Sequence, residues 1–237
     1  MQVQAKYNHG WNKYEDEGNE YADGLYRAVH RQDEYYLSAT ALYRPWNALS
    51  LSLAQDGAIN KLRSNLPDCP FPTRYTSLTA FNARYRQGMV TATGSLIYTN
   101  ITERVKVGDA PADFQRLVPS FTVSLQPWQE QLFFLRLMYK STFRTPTFND
   151  LYYYRLGNRS LRPEKANEYN IGITWSKPFV SFLNYFSVTI DGYYNDVTDK
   201  IVAFPTTYAW KMANYGKVRA TGIDATLAAA TSLSKNI

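Results

Sequence analysis

The sequence predicts an all-β fold: an antiparallel transmembrane β-barrel segment of about ten strands, with short periplasmic turns and long extracellular loops. Three observations carry this. Apolar and polar residues alternate with a period of two in about ten segments. The connections between those segments alternate between short and long. Tryptophans gather where the connections are short.

The alternation begins at once, in "MQVQAKYNHG", and continues in "EYYLSATALYR", where Tyr35, Leu37, Ala39, Ala41 and Tyr43 oppose Ser38, Thr40 and Arg44. "LSLSLAQD" sets Leu49, Leu51 and Leu53 against Ser50 and Ser52. "MVTATGSLIYT" sets Val90, Ala92, Leu96 and Tyr98 against Thr91, Thr93 and Ser95. "LFFLRLMYK" keeps Phe133, Leu135, Leu137 and Tyr139 opposite Arg136 and Lys140. The cleanest case is "EYNIGITW", with Tyr169, Ile171, Ile173 and Trp175 on one face and Glu168, Asn170, Gly172 and Thr174 on the other. A helix would need apolar residues three and four apart, and these segments do not offer them.

Short connections are expected near 44–48, 86–88, 126–131 and 177–184, and long polar ones near 10–33, 57–73, 100–115, 142–166 and 197–218. Trp46, Trp128 and Trp175 fall at the short ends, the level of a periplasmic aromatic girdle. Strands of about 9–12 residues suit a tilted crossing of an apolar band about 25 Å tall. Soluble sandwiches and propellers also alternate, but their loop ends are similar in length and a propeller repeats at a fixed period. Here the polar face is rich in Ser, Thr, Asn and Arg, as a wet lumen requires.

Composition agrees. Aromatics make up 16% of the 237 residues, with 20 tyrosines, which suits rings placed where apolar meets wet. No run of about 18 apolar residues is present, so no transmembrane helix is expected; a barrel needs none. The net charge of +6 is spread along the chain, without the basic block that tracks a phosphate backbone, so nucleic acid is not an expected partner. Cys69 is the single cysteine, which excludes an internal disulfide and a cysteine-based metal site. The opening carries neither basic nor apolar signal regions, so an exported chain with this start is expected to be a piece of a longer one.

One stretch breaks the alternation: "STFRTPTFNDLYYYRLGNRSLRPE", Ser141 to Glu164. Thr145 followed by Pro146 reads as an N-cap with proline at the first helical position, good for about one turn before Gly157-Asn158 and Pro163. "FRTPTFNDLYY" followed by "GNRSLRPEKANEYNIGITW" resembles the barrel of a TonB-dependent outer-membrane receptor, most closely of the Bacteroidetes type. "GYYNDVTDKIVAFP" and "NYGKVRATGIDA" are similar to the pieces that follow in that family.

The resemblance implies import of a scarce ligand (a siderophore, cobalamin, haem or similar) across the outer membrane. TonB would drive it through a missing N-terminal part, with outer-membrane lipid around the wall. It also implies a full barrel of about 22 strands around a plug, so that residues 1–237 are expected to be part of the C-terminal barrel domain, with the plug domain absent. Two other readings are a self-contained ten-stranded outer-membrane hydrolase and a passive pore. No nucleophile elbow, catalytic triad, phosphate loop or metalloprotease helix is present, so no enzyme is expected.

The candidate ligand contacts are the loop aromatics Trp11, Tyr14, Tyr21, Tyr26, Tyr152, Tyr153, Tyr154, Tyr208 and Trp210; these either face a ligand or pack loop on loop. Arg144, Asn149 and Glu164 are read as braces of the tyrosine loop. His9 and His30 are the only histidines, expected as solvated loop residues, although a shared metal or haem site is conceivable. No cofactor is expected, apart from calcium in an external loop at Glu15, Asp16, Glu17, Glu20 and Asp23, which lack EF-hand spacing.

Overall fold

A computed structural model describes residues 1–19, 24–66, 69–128, 132–153, 156–178, 183–207 and 210–231. Ten strands follow one another: β1 (Gln2–Asn19), β2 (Gly24–Trp46), β3 (Leu49–Ser64), β4 (Thr73–Gln87), β5 (Val90–Arg104), β6 (Phe114–Leu125), β7 (Leu132–Arg144), β8 (Glu164–Pro178), β9 (Leu183–Pro205) and β10 (Trp210–Thr231). They form a single sheet in chain order, each antiparallel to the next. A short helix, α1 (Phe148–Tyr152), interrupts the series between β7 and β8.

Register carries the alternation across the sheet, because cross-strand partners share a face. Tyr139, Tyr169 and Tyr194 are successive partners, and so are Leu137, Ile171 and Gly192. Their face is the apolar one: Ile171 is 65% exposed and Leu137 49%, values that only a lipid contact makes tolerable. An upper row of rings runs along it. Tyr7 lies 5.0 Å from Tyr35, Tyr139 5.1 Å from Tyr169, and Tyr169 6.0 Å from Tyr194. A lower row lies at the short-turn end, where Trp128 packs on Phe133 at 5.3 Å and Trp175 on Phe186 at 6.1 Å. Trp128 and Trp175 of the expected girdle therefore join one ring row, and Trp46 is exposed at the short-turn end of β2.

The opposite face is polar and cross-linked. Ser38 donates to Asp56 at 2.6 Å and Asn82 to Ser52 at 3.2 Å; Thr174 and Thr189 are 3.1 Å apart. Arg136 on β7 reaches Asp191 on β9 at 3.0 Å, across the whole width of β8. Gly172 is the β8 partner of both, and a Cβ there would collide with the Asp191 carboxylate. Glycine in mid-strand marks this close approach.

The strands run to 23 residues, well beyond the expected 9–12. Much of what reads as loop in 10–33, 57–73 and 197–218 is strand, because the ladders continue past the upper ring row into polar surroundings. Charge pairs support them there: Arg27 and Lys13 each lie 2.7 Å from Glu15, and Lys217 lies 2.9 Å from Asp196. Such segments do not need one apolar face, so the alternation fades while the pairing persists.

The two faces predict different tolerance to charge. Ile171→Arg should destabilise the protein in lipid by about 2–4 kcal/mol, and Asn170→Arg by much less. Equal losses, measured by unfolding from liposomes, would show that the face assignment is wrong.

Candidate ligand site at the barrel mouth

The segment between β7 and β8 folds over the polar face instead of extending away from it. Its start is set two residues later than Thr145-Pro146 suggests: Thr147 is the N-cap. Its hydroxyl accepts from the Asp150 N–H at 3.1 Å, and the Asp150 carboxylate accepts from the Thr147 N–H at 2.9 Å. This capping box needs an acidic residue three positions on, which Thr147 has in Asp150 and Thr145 lacks.

Arg144 braces both ends of the segment. It lies 3.1 Å from Asp150 and 3.5 Å from Glu164, and Glu164 in turn accepts from the Ile201 N–H at 3.2 Å. Leu151, Leu161 and Ile201 form a small buried cluster beneath. Asn158 donates to the Met212 carbonyl at 2.9 Å, and Asn214 links Arg162 to Asp199 through their carbonyls. The bracing role expected of Arg144 and Glu164 fits these contacts.

Towards β4 and β5 the helix docks on a buried ion pair. Arg74 and Glu103 are 2.7 Å apart, with the Glu103 side chain only 4% exposed. The Tyr152 hydroxyl donates to Glu103, and the Arg74 guanidinium lies 4.9 Å from the Phe148 ring centre. Burial first, then the hydrogen bond to a carboxylate, raise the Tyr152 pKa well above the ordinary phenol value, so it stays a neutral donor. Tyr152 is thus a packing residue.

Between this segment and the upper polar face of β1–β3 lies a cavity of about 470 Å³. Asn12, Tyr14, His30 and Gln32 line it from the sheet, and Asn149 and Tyr153 from the tyrosine segment. Asn65 sets the rim: its side chain accepts from the Val29 N–H at 2.7 Å and donates to the Arg27 carbonyl at 3.0 Å, extending the β2–β3 edge to Leu66.

Of the sequence candidates, Trp11, Tyr14 and Tyr153 border this cavity. Trp210 is exposed at the start of β10 and does not line it. Tyr21, Tyr154 and Tyr208, and the Tyr26 side chain, lie outside the described residues. Asn12 and Gln32 are cavity residues that sequence reading passed over, while His30, read as a solvated loop residue, and Asn149, read as a brace, line the cavity too; the register of β1 with β2 brings Asn12, His30 and Gln32 together.

The two histidines do not share a site. Strand alternation turns His9 outward, where its Nδ1 lies 2.7 Å from Asp33, and turns His30 inward. Of the acidic run, Glu15 is held by Lys13 and Arg27, whose hydrogen bonds and charges lower its pKa. Glu20 and Asp23 lie outside the described residues, and no cluster of three potential metal ligands occurs among those that are described.

A family model described as TonB dependent receptor-like, beta-barrel matches residues 1–235. The chain is 36% identical over 84 residues to the vitamin B12 transporter BtuB of Vibrio vulnificus (strain YJ016), a stretch covering 35% of this chain and 13% of that protein. Among solved structures it is similar to the FrpB iron transporter from Neisseria meningitidis (TM-score 0.73, 15% identity, 97% of this chain and 38% of that one). It is also similar to the Serratia marcescens hemophore receptor HasR (TM-score 0.71, 15% identity, 97% and 43%). The chain thus spans about two fifths of the solved receptors it resembles, and these likenesses show the fold.

Loss of Glu103 should undock α1. Glu103→Ala, which strands Arg74 without its partner, should cost about 3–5 kcal/mol of local stability. Tyr152→Phe should cost about 1 kcal/mol. Hydrogen exchange at the Leu151 and Tyr153 amides reads both, and a larger effect of Tyr152→Phe would contradict the ion-pair anchor.

Proposed function

We propose that this chain, which belongs to the TonB-dependent receptor-like β-barrel family, forms part of the wall and mouth of a larger barrel that actively imports a scarce ligand across the outer membrane. The solved relatives are more than twice its length, which supports further strands and a TonB-coupled element in the complete protein. Lipid surrounds the apolar face and water fills the polar one. The family is one of transport, and the chain acts by selecting and guiding a ligand, without bond chemistry.

The observation that carries the reading is the cavity between the tyrosine segment and β1–β3. Its volume falls within the range of about 300–1,000 Å³ usual for small-molecule sites. Its lining combines tyrosine faces with amide and imidazole groups, which suits a compact organic chelate or macrocycle that stacks on rings while its polar rim is hydrogen-bonded. The names of the relatives offer cobalamin, haem and iron as the cargo to try first, the iron being supplied as a ferric siderophore.

The test uses the full-length protein in cells supplied separately with cobalamin, haem or a ferric siderophore. One of these should accumulate only while the inner membrane is energised. Tyr14→Ala and Tyr153→Ala should each weaken its binding about three- to tenfold at unchanged surface abundance, with His9→Gln without effect. Equal entry with and without energisation would replace the receptor by a passive pore.

A further inference from the structure

The lipid face has two grooves where glycine leaves a gap in the apolar band, and the charged rows above them differ. One groove, of about 860 Å³, lies over Gly192 between Tyr169, Ile171, Tyr194 and Ile223. Above it two outward cations share one carboxylate: Lys217 lies 2.9 Å and Arg219 3.4 Å from Asp196.

The other groove, of about 640 Å³, is lined by Tyr7, Tyr35, Leu37, Ile59 and Tyr75 over Gly57. A Cβ at Gly57 would meet nothing within 4 Å, so the gap is open. Lys61 stands just above it, 5.6 Å from the Tyr35 ring centre, followed on the same face of β3 by Arg63. Arg31 is the direct cross-strand partner of Arg63, and both are exposed.

Like charges directly opposite each other destabilise a ladder unless something neutralises them. Among the described residues, neither guanidinium has a hydrogen-bonding or ion-pairing partner. The acids on the same outward rows are engaged elsewhere. Asp33, whose charge Arg63 also feels, accepts from Tyr7 at 3.0 Å and lies 2.7 Å from His9. Glu15 is held by Lys13 and Arg27, and Glu17 sits farther out, towards the hairpin tip.

We propose that β1–β3 bind one acylated, phosphate-bearing glycolipid of the outer leaflet, its acyl chain in the Gly57 groove and a head-group phosphate bridging Arg31 and Arg63. Lys61 closes the edge of the head-group site. Successive outward residues of β3 are about 6.6 Å apart, so the cations begin one step above the apolar band, where the head group of a lipid meets its chains. Arginine suits this position because its planar fork binds phosphate oxygens in pairs. Among the described residues above the Gly192 groove no two cations are direct cross-strand partners, and Lys217 and Arg219 flank the Asp196 carboxylate, so a phosphate has no arginine pair to bridge there. The proposal rests on the outer-membrane placement above, which recovery of the wild-type protein in the outer-membrane fraction tests separately.

Native mass spectrometry of the full-length protein extracted in mild detergent counts the bound lipid. A hexa-acylated, bisphosphorylated diglucosamine lipid, its dephosphorylated form and inorganic phosphate alone serve as titrants. About one phosphorylated glycolipid per chain should persist, and Arg31→Gln with Arg63→Gln should weaken its binding about tenfold or more. Gly57→Phe, which fills the groove, should do the same; if that variant fails to insert, the double arginine variant decides alone. Lys217→Gln, beside the other groove, should change nothing. Equal binding of the dephosphorylated lipid, or unchanged binding by the double variant, would overturn the proposal. Displacement of the lipid by inorganic phosphate alone would do so too, reducing the site to an adventitious ion only.

Discussion

Hydrocarbon offers no hydrogen-bond partner, so every backbone N–H and C=O that crosses it must find one in a neighbouring strand. The sequence of antiparallel ladders meets that constraint for β2 to β9, which are paired on both sides, while β1 and β10 are each paired on one side within this chain. Everything else in the chain is arranged around it. Because the ladders hold the strands in register, residues two apart share a face, and one face can be wholly apolar while the other is wetted. The polar face must then neutralise its own charges. Arg136 and Asp191 do so across three strands, and only a residue without a side chain at Gly172 lets them meet.

The tyrosine segment is the largest excursion from the ladder among the described residues, and its residues divide by task. Arg144, Asp150, Glu164, Asn158 and Asn214 tie the segment to strand edges through charge-assisted and carbonyl hydrogen bonds. Tyr152 and Phe148 fasten it to the buried Arg74–Glu103 pair. A buried pair of this kind contributes little net stability but is costly to split, which makes it a good positional lock. With the helix fixed, Asn149 and Tyr153 face the sheet across a preformed cavity, so a ligand entering there need not order the segment first.

The outward surface shows the same division between satisfied and unsatisfied groups. Above the Gly192 groove Lys217 and Arg219 share the Asp196 carboxylate, whereas Arg31 and Arg63 oppose one another over the Gly57 groove. A strand pair that keeps two arginines face to face is poorly designed for water alone and well suited to an interface rich in phosphate.

The sequence by itself determined the strand count, the lipid and lumen faces, the lower tryptophan row and the existence of a braced interruption after Arg144, because all of these follow from period-two alternation and local turn chemistry. It did not determine where the strands end. Beyond the membrane no face needs to be apolar, so cross-strand pairs such as Glu15 with Arg27 hold the ladder where no pattern marks it. Nor did it determine the candidate site. The helix start moved to Thr147 because a capping box is a reciprocal geometry of two side chains. His9 and His30 parted because neighbouring strands decide which side each faces. Tyr152 and Tyr153, adjacent in the chain, went to opposite tasks because docking on Glu103 turns one ring into the protein and leaves the other over the lumen. The capping box is local, but His9 meets Asp33 across 24 residues and Tyr152 meets Glu103 across 49, separations that only tertiary pairing closes.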